Sequence, residues 1–399
     1  MTISEGFFWL SGVLLAYLWL DRARDAFAGM PSVADITRPE WDQLPQRKER
    51  DGNARIPRLC IIVPARNEVQ KVEAAFRSLL RLDYPDYEVV AINDRSADST
   101  GEILDRVTGS HHGKPPLRVL HISELPTGWL GKPHAMWLAA QQCSADWILF
   151  TDADVSFRPD CLRRAIAYGE SSGADHVVLV PTYVAPSFGE RIMLSGFAML
   201  FLWGHRAWKV GDPKAMDSIG LGPFNLIRRE AYEKVGTFRA LRMEVIEDMK
   251  LGKLVKQHGL AQRNVFGPGL LPWQWGRGAL GIARNLTKNM FASMQFRWGR
   301  ALGASALFCF LNLLPFVGLL LAPGWAKLPF ALATAAITAL YFGLSHLMPV
   351  SPLYVLLHPV STLLLLYTMA RSMAHALRHG GVVWRGTHYS LEDLRKGMV

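Results

Sequence analysis

Two aspartates, Asp152 and Asp154, stand one residue apart directly after the apolar run 147–150. In an extended segment, residues i and i+2 point the same way, so both carboxylates would face one spot at the end of a strand. Hard oxygen ligands of this kind suit Mg²⁺ or Mn²⁺, which usually keep water ligands and bind substrate phosphates. The alternative is a solvated turn whose aspartates cap a helix. The buried run before the pair favours a divalent metal site with Asp154 and Asp152 as ligands.

Further charged residues stand where an apolar run ends or a helical stretch begins. Asp94 closes the run 87–94, where it could bond a base or ribose or cap the next helix. Glu247 and Asp248 precede a helical stretch, so one of them is a candidate general base; the alternative is favourable helix-start electrostatics of about 0.3–1 kcal/mol. Lys132 could neutralise a diphosphate or be an ordinary surface lysine.

Several common catalytic motifs are missing from the sequence. It has no G-x-G-x-x-G after the first strand, no G-x-x-x-x-G-K-[ST] and no G-x-S-x-G, so the usual phosphate-binding loops and a hydrolase triad are unsupported. The four cysteines show no C-x-x-C and no histidines at zinc spacing, which favours free thiols in a reducing compartment. They are Cys60, Cys143, Cys161 and Cys309.

Short apolar, β-rich runs alternate with helical stretches between residues 55 and 270. The runs are 58–64, 87–94, 117–123, 146–154 and 176–183, with helices predicted over 69–80 and from 96–98 onward. Continuous apolar runs of this length are typical of central parallel strands, and the βαβ order predicts a doubly wound, mostly parallel α/β sheet. Ligands of such sheets bind at the carboxyl ends of the strands, where Glu68, Asp94, Asp152 and Asp154 fall.

Long uncharged segments lie at both ends of the chain. Residues 6–20 are followed by Asp21, Arg22 and Arg24, and the lack of a basic residue before them favours an uncleaved membrane anchor over a signal peptide. Three further apolar segments, 302–323, 328–348 and 352–369, predict about three C-terminal membrane helices. A buried helical core of a soluble domain is the alternative.

The predicted number of membrane crossings conflicts with the charge of the C-terminal tail, a conflict of parity. The arginines after the first segment place the middle of the chain inside by the positive-inside rule, and three further spans would leave the basic tail outside. That tail should prefer the inside, so one segment could be re-entrant or lie in the interface.

Composition and charge agree with a membrane-associated protein. The 399 residues are 50% apolar with a formal net charge of +10, which excludes wholesale disorder. Basic residues in 276–300 and in the tail flank apolar segments, so an anionic membrane surface is favoured over nucleic acid. The predicted division is an anchor 1–22, a linker 23–54, a catalytic domain 55–270, a basic aromatic interfacial segment 271–300, membrane helices 301–373 and a basic tail 374–399.

Five ordered motifs resemble family 2 glycosyltransferases of GT-A fold. They are Val63-Pro-Ala-Arg-Asn-Glu68, Asn93-Asp-Arg-Ser96 with Asp98-Ser-Thr100, Trp129-Leu-Gly-Lys132, Asp152-Ala-Asp154 and Ile246-Glu-Asp248. The anchor and C-terminal segments look like the membrane-bound glycolipid branch, which includes ceramide glucosyltransferases and the carotenoid and hopanoid-associated enzymes. The resemblance implies a nucleotide-sugar donor, a lipid acceptor and a bacterial inner (cytoplasmic) membrane location with the catalytic domain facing the cytoplasm.

The resemblance also implies roles for single residues. Asp248 would be the general base, and Asp154 and Asp152 would bind the metal, with Asp152 also near the ribose. Donor contacts would come from Pro64, Ala65, Glu68, Asp94 and Lys132. Residues beside the donor sugar and acceptor would be Gly222, Phe224, Asn225, Glu247, Trp275, Arg297 and Trp298.

One motif departs from the family. Processive relatives and ceramide glucosyltransferases carry Q-x-x-R-W, whereas here Gln295 stands one residue too close to Arg297 and Trp298. This argues against polymer synthesis. The sequence therefore predicts an inverting, metal-assisted transfer of a sugar, with UDP-hexose as the expected donor, to a lipid alcohol. The alternatives are a processive polysaccharide synthase, a non-catalytic nucleotide-binding membrane scaffold and a nucleotidyltransferase.

Overall fold

The computed structural model describes residues 3–48 and 53–399, which form two compact units. The helical unit contains residues 3–32, 183–208 and 274–382; the sheet unit contains 33–182, 209–273 and 383–399, apart from 49–52. The first two residues of the predicted anchor and residues 49–52 of the predicted linker lie outside the described chain. Each unit is therefore built from separate stretches of sequence.

Fourteen strands occur in the described residues. They are β1 Ala34–Asp35, β2 Arg47–Lys48, β3 Ala54–Arg55, β4 Leu59–Ala65, β5 Tyr87–Asp94, β6 Leu117–Ile122, β7 Trp147–Phe150, β8 His176–Val180, β9 Thr182–Tyr183, β10 Asn225–Arg228, β11 Gln262–Phe266, β12 Pro272–Trp273, β13 Gly381–Trp384 and β14 Thr387–Ser390.

The same residues contain fifteen α-helices. They are α1 Ile3–Gly29, α2 Val72–Leu79, α3 Thr100–Ser110, α4 Gly131–Gln141, α5 Cys161–Ser171, α6 Phe188–Gly204, α7 Arg229–Lys234, α8 Thr237–Ala240, α9 Glu247–Gln257, α10 Gly278–Ser293, α11 Trp298–Asn312, α12 Leu314–Leu321, α13 Lys327–Leu344, α14 His358–Arg378 and α15 Leu391–Gly397. Short 3₁₀ turns lie at Met30–Ser32, Pro39–Trp41, Ala207–Lys209, Gly324–Ala326 and Pro352–Leu357.

Eight strands form the central sheet, in the order β1-β11-β8-β10-β7-β4-β5-β6. The five predicted strands β4 to β8 are confirmed, and the sheet is mostly parallel, as expected. Strand β10 is the exception, because it runs antiparallel between β7 and β8. Strands β1, β10 and β11 are not among the predicted runs, since they are short or interrupted by polar residues.

The sheet is buried on both faces, which explains its apolar runs. In β4, Ile61 and Val63 pack in one core cluster with Phe76 of α2, while Cys60 and Ile62 pack in the other with residues of α4. Helices α2, α3 and α5 cover the first face, and α4, α7, α8 and α9 cover the second. Removing a large side chain from such a core costs about 3–5 kcal/mol, so the strand ends are held on a rigid layer.

The helical unit is built from α1, α6 and α10 to α14. Helix α1 packs along α13, and the indole of Trp19, fully buried, donates to the carbonyl of Leu311 at 2.8 Å. Helix α14 packs against α6, α10 and α11. Many large apolar side chains of this unit remain exposed, among them Leu10 at 77% and Leu320 at 74%. A surface of this kind is typical of a contact with a membrane or with another protein.

Two helices among the described residues are long and apolar enough to cross a membrane. They are Gly324–Leu344 and Pro352–Arg378, so the third predicted segment is longer than the sequence suggested. The first predicted segment, 302–323, is instead a broken pair, α11 and α12, bent by 44°. Pro315 in the first turn of α12 accounts for the break, because proline lacks the N–H that a continuous helix needs. Helix α1 is not among the candidate spans, so its role as an anchor stays a prediction.

Candidate active site

The predicted acidic residues converge at one edge of the sheet. Strands β4, β5 and β7 are parallel neighbours, so their carboxyl ends meet at the same edge. Asp94 ends β5, Glu68 follows β4, and Asp152 and Asp154 follow β7. Their arrangement depends on hydrogen bonds and ion pairs with the loops and helices that start there.

Lys132 joins two of these acids. The residue is the second of α4, and its amino group lies 2.7 Å from a carboxylate oxygen of Asp152 and 2.7 Å from one of Glu247. Burial lowers the pKa of Lys132, but the carboxylates of Asp152, Glu247 and Asp248 outweigh this and hold its pKa well above the ordinary value. Lys132 is therefore a permanent cation at the centre of the acidic group.

Asp248 is held by the main chain at the start of α9. One carboxylate oxygen accepts the N–H of Gly222 at 2.8 Å, and the other accepts the N–H of Met249 at 2.8 Å. Burial and the neighbouring carboxylate of Glu247 raise the pKa of Asp248 to about 6, although Lys132 opposes the shift. A carboxylate with a pKa near neutral can both accept a proton and give it up again.

We expect the pH profile of the reaction to report this carboxylate. A general base acts in its ionised form, so kcat/KM should fall as the pH drops through about 6. This fall of kcat/KM at acidic pH, the acidic limb of the profile, should be absent from an Asp248→Asn variant. An activity that stays level down to pH 4.5 would contradict a base role for Asp248.

Gly222 separates the carboxyl groups of Asp152 and Asp248. Its N–H binds Asp248, and a Cβ added to it would lie 2.5 Å from Asp152 Oδ2. Gly220 approaches helix α9 so closely that a Cβ added to Gly220 would clash with the Asp248 carbonyl. A glycine-containing loop thus fixes the spacing of the two acids.

We therefore expect Gly222→Ala to damage the site without unfolding the sheet. The new methyl group must displace the Asp152 carboxylate from Lys132, which should lower kcat/KM by about 10- to 100-fold, the cost of a misplacement near 1 Å. Gly109→Ala in α3 is the matched control, because no atom lies within 4 Å of its added Cβ. Steady-state rates with a labelled donor would measure both; equal activity of the two variants would contradict the proposed spacing role.

Asp94 is buried beside the start of α4. It makes a two-point ion pair with Arg95 at 2.7 and 3.0 Å, and Arg66 lies 3.9 Å away. A Cβ on Gly131 would lie 2.4 Å from an Asp94 oxygen, so this glycine permits the close approach of helix and carboxylate. Asp94 therefore approaches α4 at Gly131, the residue directly before Lys132.

Asp154 binds different partners from Asp152. Its oxygens bind the amino group of Lys71 at 2.9 Å and the indole N–H of Trp273 at 3.4 Å. Asp152 and Asp154 supply hard oxygen donors, which fit Mg²⁺ or Mn²⁺ when substrate phosphates complete the coordination. Within residues 3–48 and 53–399, the one group of three His, Cys, Asp or Glu ligand atoms within 4.8 Å is Cys60, Glu88 and Cys143. A metal at the aspartates would therefore need oxygens from the substrate.

Glu68 and its neighbours form the rim beyond β4. The Glu68 N–H donates to Thr100 Oγ1 at 2.8 Å, and its carboxylate pairs with Arg385 of the C-terminal tail. Burial raises the pKa of Glu68, as do Asp154 and Asp152, while Arg385 opposes the shift. Pro64 is half-buried and Ala65 is fully buried at the end of β4.

Phe224 and Asn225, predicted to lie beside the donor sugar and acceptor, are buried in the sheet core. Phe224 is fully buried and packs near Phe157, with ring centres 6.2 Å apart. The Asn225 amide donates to Leu221 O at 2.8 Å and contacts His176 at 3.1 Å. Both residues lie where the 220–222 loop enters β10, so their visible effect is to position that loop; direct contact with a sugar stays a prediction.

Three further predicted residues belong to the helical unit. Trp275 packs on Phe197 with ring centres 4.6 Å apart. Arg297 and Trp298 begin α11 and are exposed, Trp298 by 64%. The displaced Gln295 has a positive φ and pairs with Arg300, so it forms the turn between α10 and α11.

Sequence reasoning missed three residues that bind the predicted site. Lys71 pairs with Asp154, Arg385 pairs with Glu68, and Tyr389 accepts the N–H of Gly131 at 3.2 Å. A partial signal for the last two was present, because Gly386 lies between two β-rich tetrapeptides and a glycine readily adopts one of the two positive φ angles that a two-residue hairpin turn requires. Lys71 carried no signal beyond its charge.

The sequence pattern of the family described as Glycosyl transferase family 2 matches residues 60–236, which include all but the first residue of β4, strands β5 to β8, Lys132, Asp152 and Asp154. Over these residues the chain is similar to family 2 glycosyltransferases. This similarity favours the transfer of a sugar from a nucleotide-sugar over a non-catalytic scaffold. Asp248 lies outside the matched range, so its assignment depends on the geometry above.

This chain resembles two known proteins over nearly its whole length. The 4,4'-diaponeurosporenoate glycosyltransferase of Staphylococcus aureus (strain USA300) is 23% identical, over 96% of this chain and 98% of the relative. The mannosyltransferase PcManGT from Pyrobaculum calidifontis, solved with GDP-Man and Mn²⁺, superposes with a TM-score of 0.53 at 18% identity, over 93% of this chain and 99% of that one. The second likeness shows the GT-A fold.

Proposed function

We propose that the transferase moves one hexose from a UDP-sugar to the hydroxyl group of a membrane lipid, with inversion at the anomeric carbon and with Asp248 as the general base. The observation that carries the proposal is the shared cation: Lys132 binds Asp152 and Glu247 at 2.7 Å each, beside Asp248. Charges of both signs are thus gathered where a diphosphate must leave and a hydroxyl must lose its proton.

The first part of the mechanism is departure of the nucleoside diphosphate. The leaving group develops negative charge, and the fixed cation of Lys132 would stabilise it as it forms. Asp154 and Asp152 would hold a divalent metal, which when bound supplies Lewis-acid stabilisation to the diphosphate. The Pyrobaculum mannosyltransferase was solved in complex with Mn²⁺, and this supports the assignment.

The second part is activation of the acceptor. An alcohol must lose its proton as it attacks the anomeric carbon, and a positioned carboxylate contributes about 10²- to 10⁴-fold to such a step. The two main-chain N–H groups at Asp248 fix its orientation. A single in-line displacement needs one base and no covalent intermediate, which is why inversion is expected.

The chemical class of the acceptor can be tested through the same residue. The Staphylococcus relative is named for 4,4'-diaponeurosporenoate, a carboxylate. Carboxylates are ionised near pH 7 and need no general base, whereas alcohols do. The positioned carboxylate of Asp248 therefore fits a lipid alcohol better than a lipid acid. With an acid acceptor, Asp248→Asn would retain full activity.

Metal dependence gives a separate prediction. We expect chelation with EDTA to reduce transfer by about 10²-fold or more, because a metal supplies several kcal/mol of charge stabilisation at the diphosphate. Added Mn²⁺ or Mg²⁺ should restore the rate. In an Asp154→Asn variant, restoration should require a higher metal concentration than in wild type. Full activity after exhaustive chelation would contradict a metal role for Asp154 and Asp152.

The course of the chain supports a definite membrane topology. Residues 209–273 and residues 383–399 fold in one unit, so both would lie on the same side of a membrane. The chain between them must then cross an even number of times. The two candidate spans, Gly324–Leu344 and Pro352–Arg378, provide these crossings. The bent pair α11–α12 would then enter and leave on one side, which removes the parity conflict and keeps the basic tail in the cytoplasm.

Cysteine labelling would test this topology. A reporter cysteine at Trp325, between α12 and α13, should react from the cytoplasmic side; one at Leu347, after α13, should react from the opposite side. Both positions are exposed, by 81% and 45%, and Cys309→Ser removes the one native cysteine that is not fully buried. Labelling of Trp325→Cys from the far side would show that the bent pair is a complete span.

A processive polysaccharide synthase remains the competing activity. The displaced Gln295 argues against it, because processive relatives carry Q-x-x-R-W. The two candidate spans also argue against it, because secretion of a polymer requires a channel. Sizing of the product from a labelled donor would decide between the two. One added sugar per lipid supports the proposal, and a ladder of chain lengths would refute it.

A further inference from the structure

The C-terminal tail binds the sheet unit at three points near Glu68 and the start of α4, a region that we call the donor rim. The guanidinium of Arg385 pairs with the Glu68 carboxylate and donates to the Asn67 carbonyl at 3.2 Å. Thr387 Oγ1 accepts from Arg66 at 3.2 Å, and the Tyr389 hydroxyl accepts the Gly131 N–H at 3.2 Å. The tail thus contacts the loop after β4 and the start of α4, which also hold Glu68 and Lys132.

The tail reaches this rim through a tight turn. Arg385 and Gly386 have φ values of 50° and 79°, the pair of positive angles that a two-residue hairpin turn requires. A positive φ is unfavourable for arginine and persists where other contacts determine it. The ion pair with Glu68 and the bond to Asn67 are contacts of this kind, and Tyr389 is buried at 8% exposure.

The loop that Arg385 binds has its own unusual conformation. Asn67 has a φ of 55°, its N–H donates to Ser96 Oγ at 3.1 Å, and its side-chain oxygen accepts from Ala97 at 2.8 Å. These bonds hold the loop from the side of α3. Arg385 holds it from the side of the tail, and it also offsets the Glu68 carboxylate, which lies near Asp152 and Asp154.

We propose that the C-terminal hairpin is a component of the donor site and that Arg385 is a positioning residue, which holds the Asn67–Glu68 loop in the conformation that binds the nucleoside diphosphate. The inference rests on the proposed function. It extends that function to residues 385–389, far outside the range 60–236 that the family pattern covers.

The electrostatic consequence is specific to an anionic ligand. Without Arg385, the carboxylate of Glu68 would add to those of Asp152 and Asp154 and repel a diphosphate. The stability of the ligand-free protein should change little, since a partly exposed ion pair contributes little to the free energy of folding. We therefore expect substitution of Arg385 to weaken ligand binding while it changes the stability of the ligand-free protein little.

Nucleoside diphosphate binding to the full chain in detergent would test the inference. With UDP and GDP as probes in the presence of Mg²⁺, we expect Arg385→Ala to bind about 10- to 100-fold more weakly than wild type, the range for a lost charge-assisted contact. Arg385→Lys should restore part of the affinity, and Tyr389→Phe should weaken binding without loss of the tail fold. The KM for the donor should rise in Arg385→Ala while the KM for the acceptor stays unchanged.

The matched control is Lys396→Ala in α15. Lys396 is an exposed cation of the same tail that pairs with Glu392, away from the donor rim. Equal binding by Arg385→Ala and wild type, or equal weakening in both variants, would overturn the inference and leave the proposed function standing. A wild-type protein that binds neither UDP nor GDP would refute both.

Discussion

Replacement of Asp248 by asparagine is expected to lower kcat by about 10²- to 10⁴-fold, the usual contribution of a positioned general base. Asparagine keeps the volume of the side chain but cannot accept the acceptor's proton. Binding of the nucleoside diphosphate should persist, because Lys132 and the metal-site aspartates are unchanged. Turnover of a labelled nucleotide-sugar, measured beside UDP binding, separates the two effects.

Loss of the charge alone should not destabilise the same variant at alkaline pH, although the asparagine amide can accept only one of the two N–H groups that Asp248 binds. The pKa of Asp248 in the folded protein, about 6, is above its ordinary value, so folding favours the protonated form and ionisation opposes folding. This destabilisation grows as the pH rises toward 6 and is complete above it. Asparagine removes the charge. A melting temperature that falls sharply at pH 8 would attribute lost activity to unfolding, not to the missing base.

A matched substitution elsewhere in the domain controls for the change of charge. Asp105→Asn removes an exposed carboxylate of α3 that pairs with His121. It should retain wild-type rates. Normal turnover by Asp248→Asn with an alcohol acceptor would eliminate the assigned base.

Substitution of Lys132 by methionine has the second large expected effect. It would remove the cation shared by Asp152, Glu247 and Asp248, and the loss of one partner from a buried charge group costs about 3–5 kcal/mol of folding free energy. Loss of charge stabilisation at the leaving diphosphate should lower kcat by about 10²- to 10³-fold. Thermal unfolding and steady-state rates measure the two consequences.

The pH profile distinguishes this charge effect from a packing effect. Lys132 lowers the pKa of Asp248, so its removal should move the acidic limb of kcat/KM to higher pH, above about 6. Lys132→Arg should keep the limb in place, and Lys234→Met, an exposed lysine of α7, should change neither rate nor profile. An unchanged limb in Lys132→Met would contradict the coupling of these charges.

Much of the fold could be predicted because its central strands are buried on both faces. Runs such as 87–94 and 59–65 must be apolar for that reason, and they stand out in the sequence. Strand β10 has four residues and two antiparallel partners distant in sequence, so nothing local marks it. The bent pair α11–α12 looked like one span because hydropathy does not register the break at Pro315.

The site was predictable as residues but not as an arrangement. Asp152, Lys132, Glu247 and Asp248 could each be picked out by type and context. Their common ion pairs depend on the close approach of α4, α9 and the loop at Gly222, which only the folded chain specifies. The tail was interpreted as a basic juxtamembrane segment, since its charge was visible and its contacts with Glu68 and Gly131 were not.

The most direct test of the central claim is mass spectrometry of membrane lipids from cells that carry the wild-type gene, the Asp248→Asn variant or no gene. The account predicts a lipid alcohol bearing a single hexose in the first cells and its absence from the other two. The same glycolipid in all three, or a series of lipids with increasing numbers of sugars in the first, would contradict it.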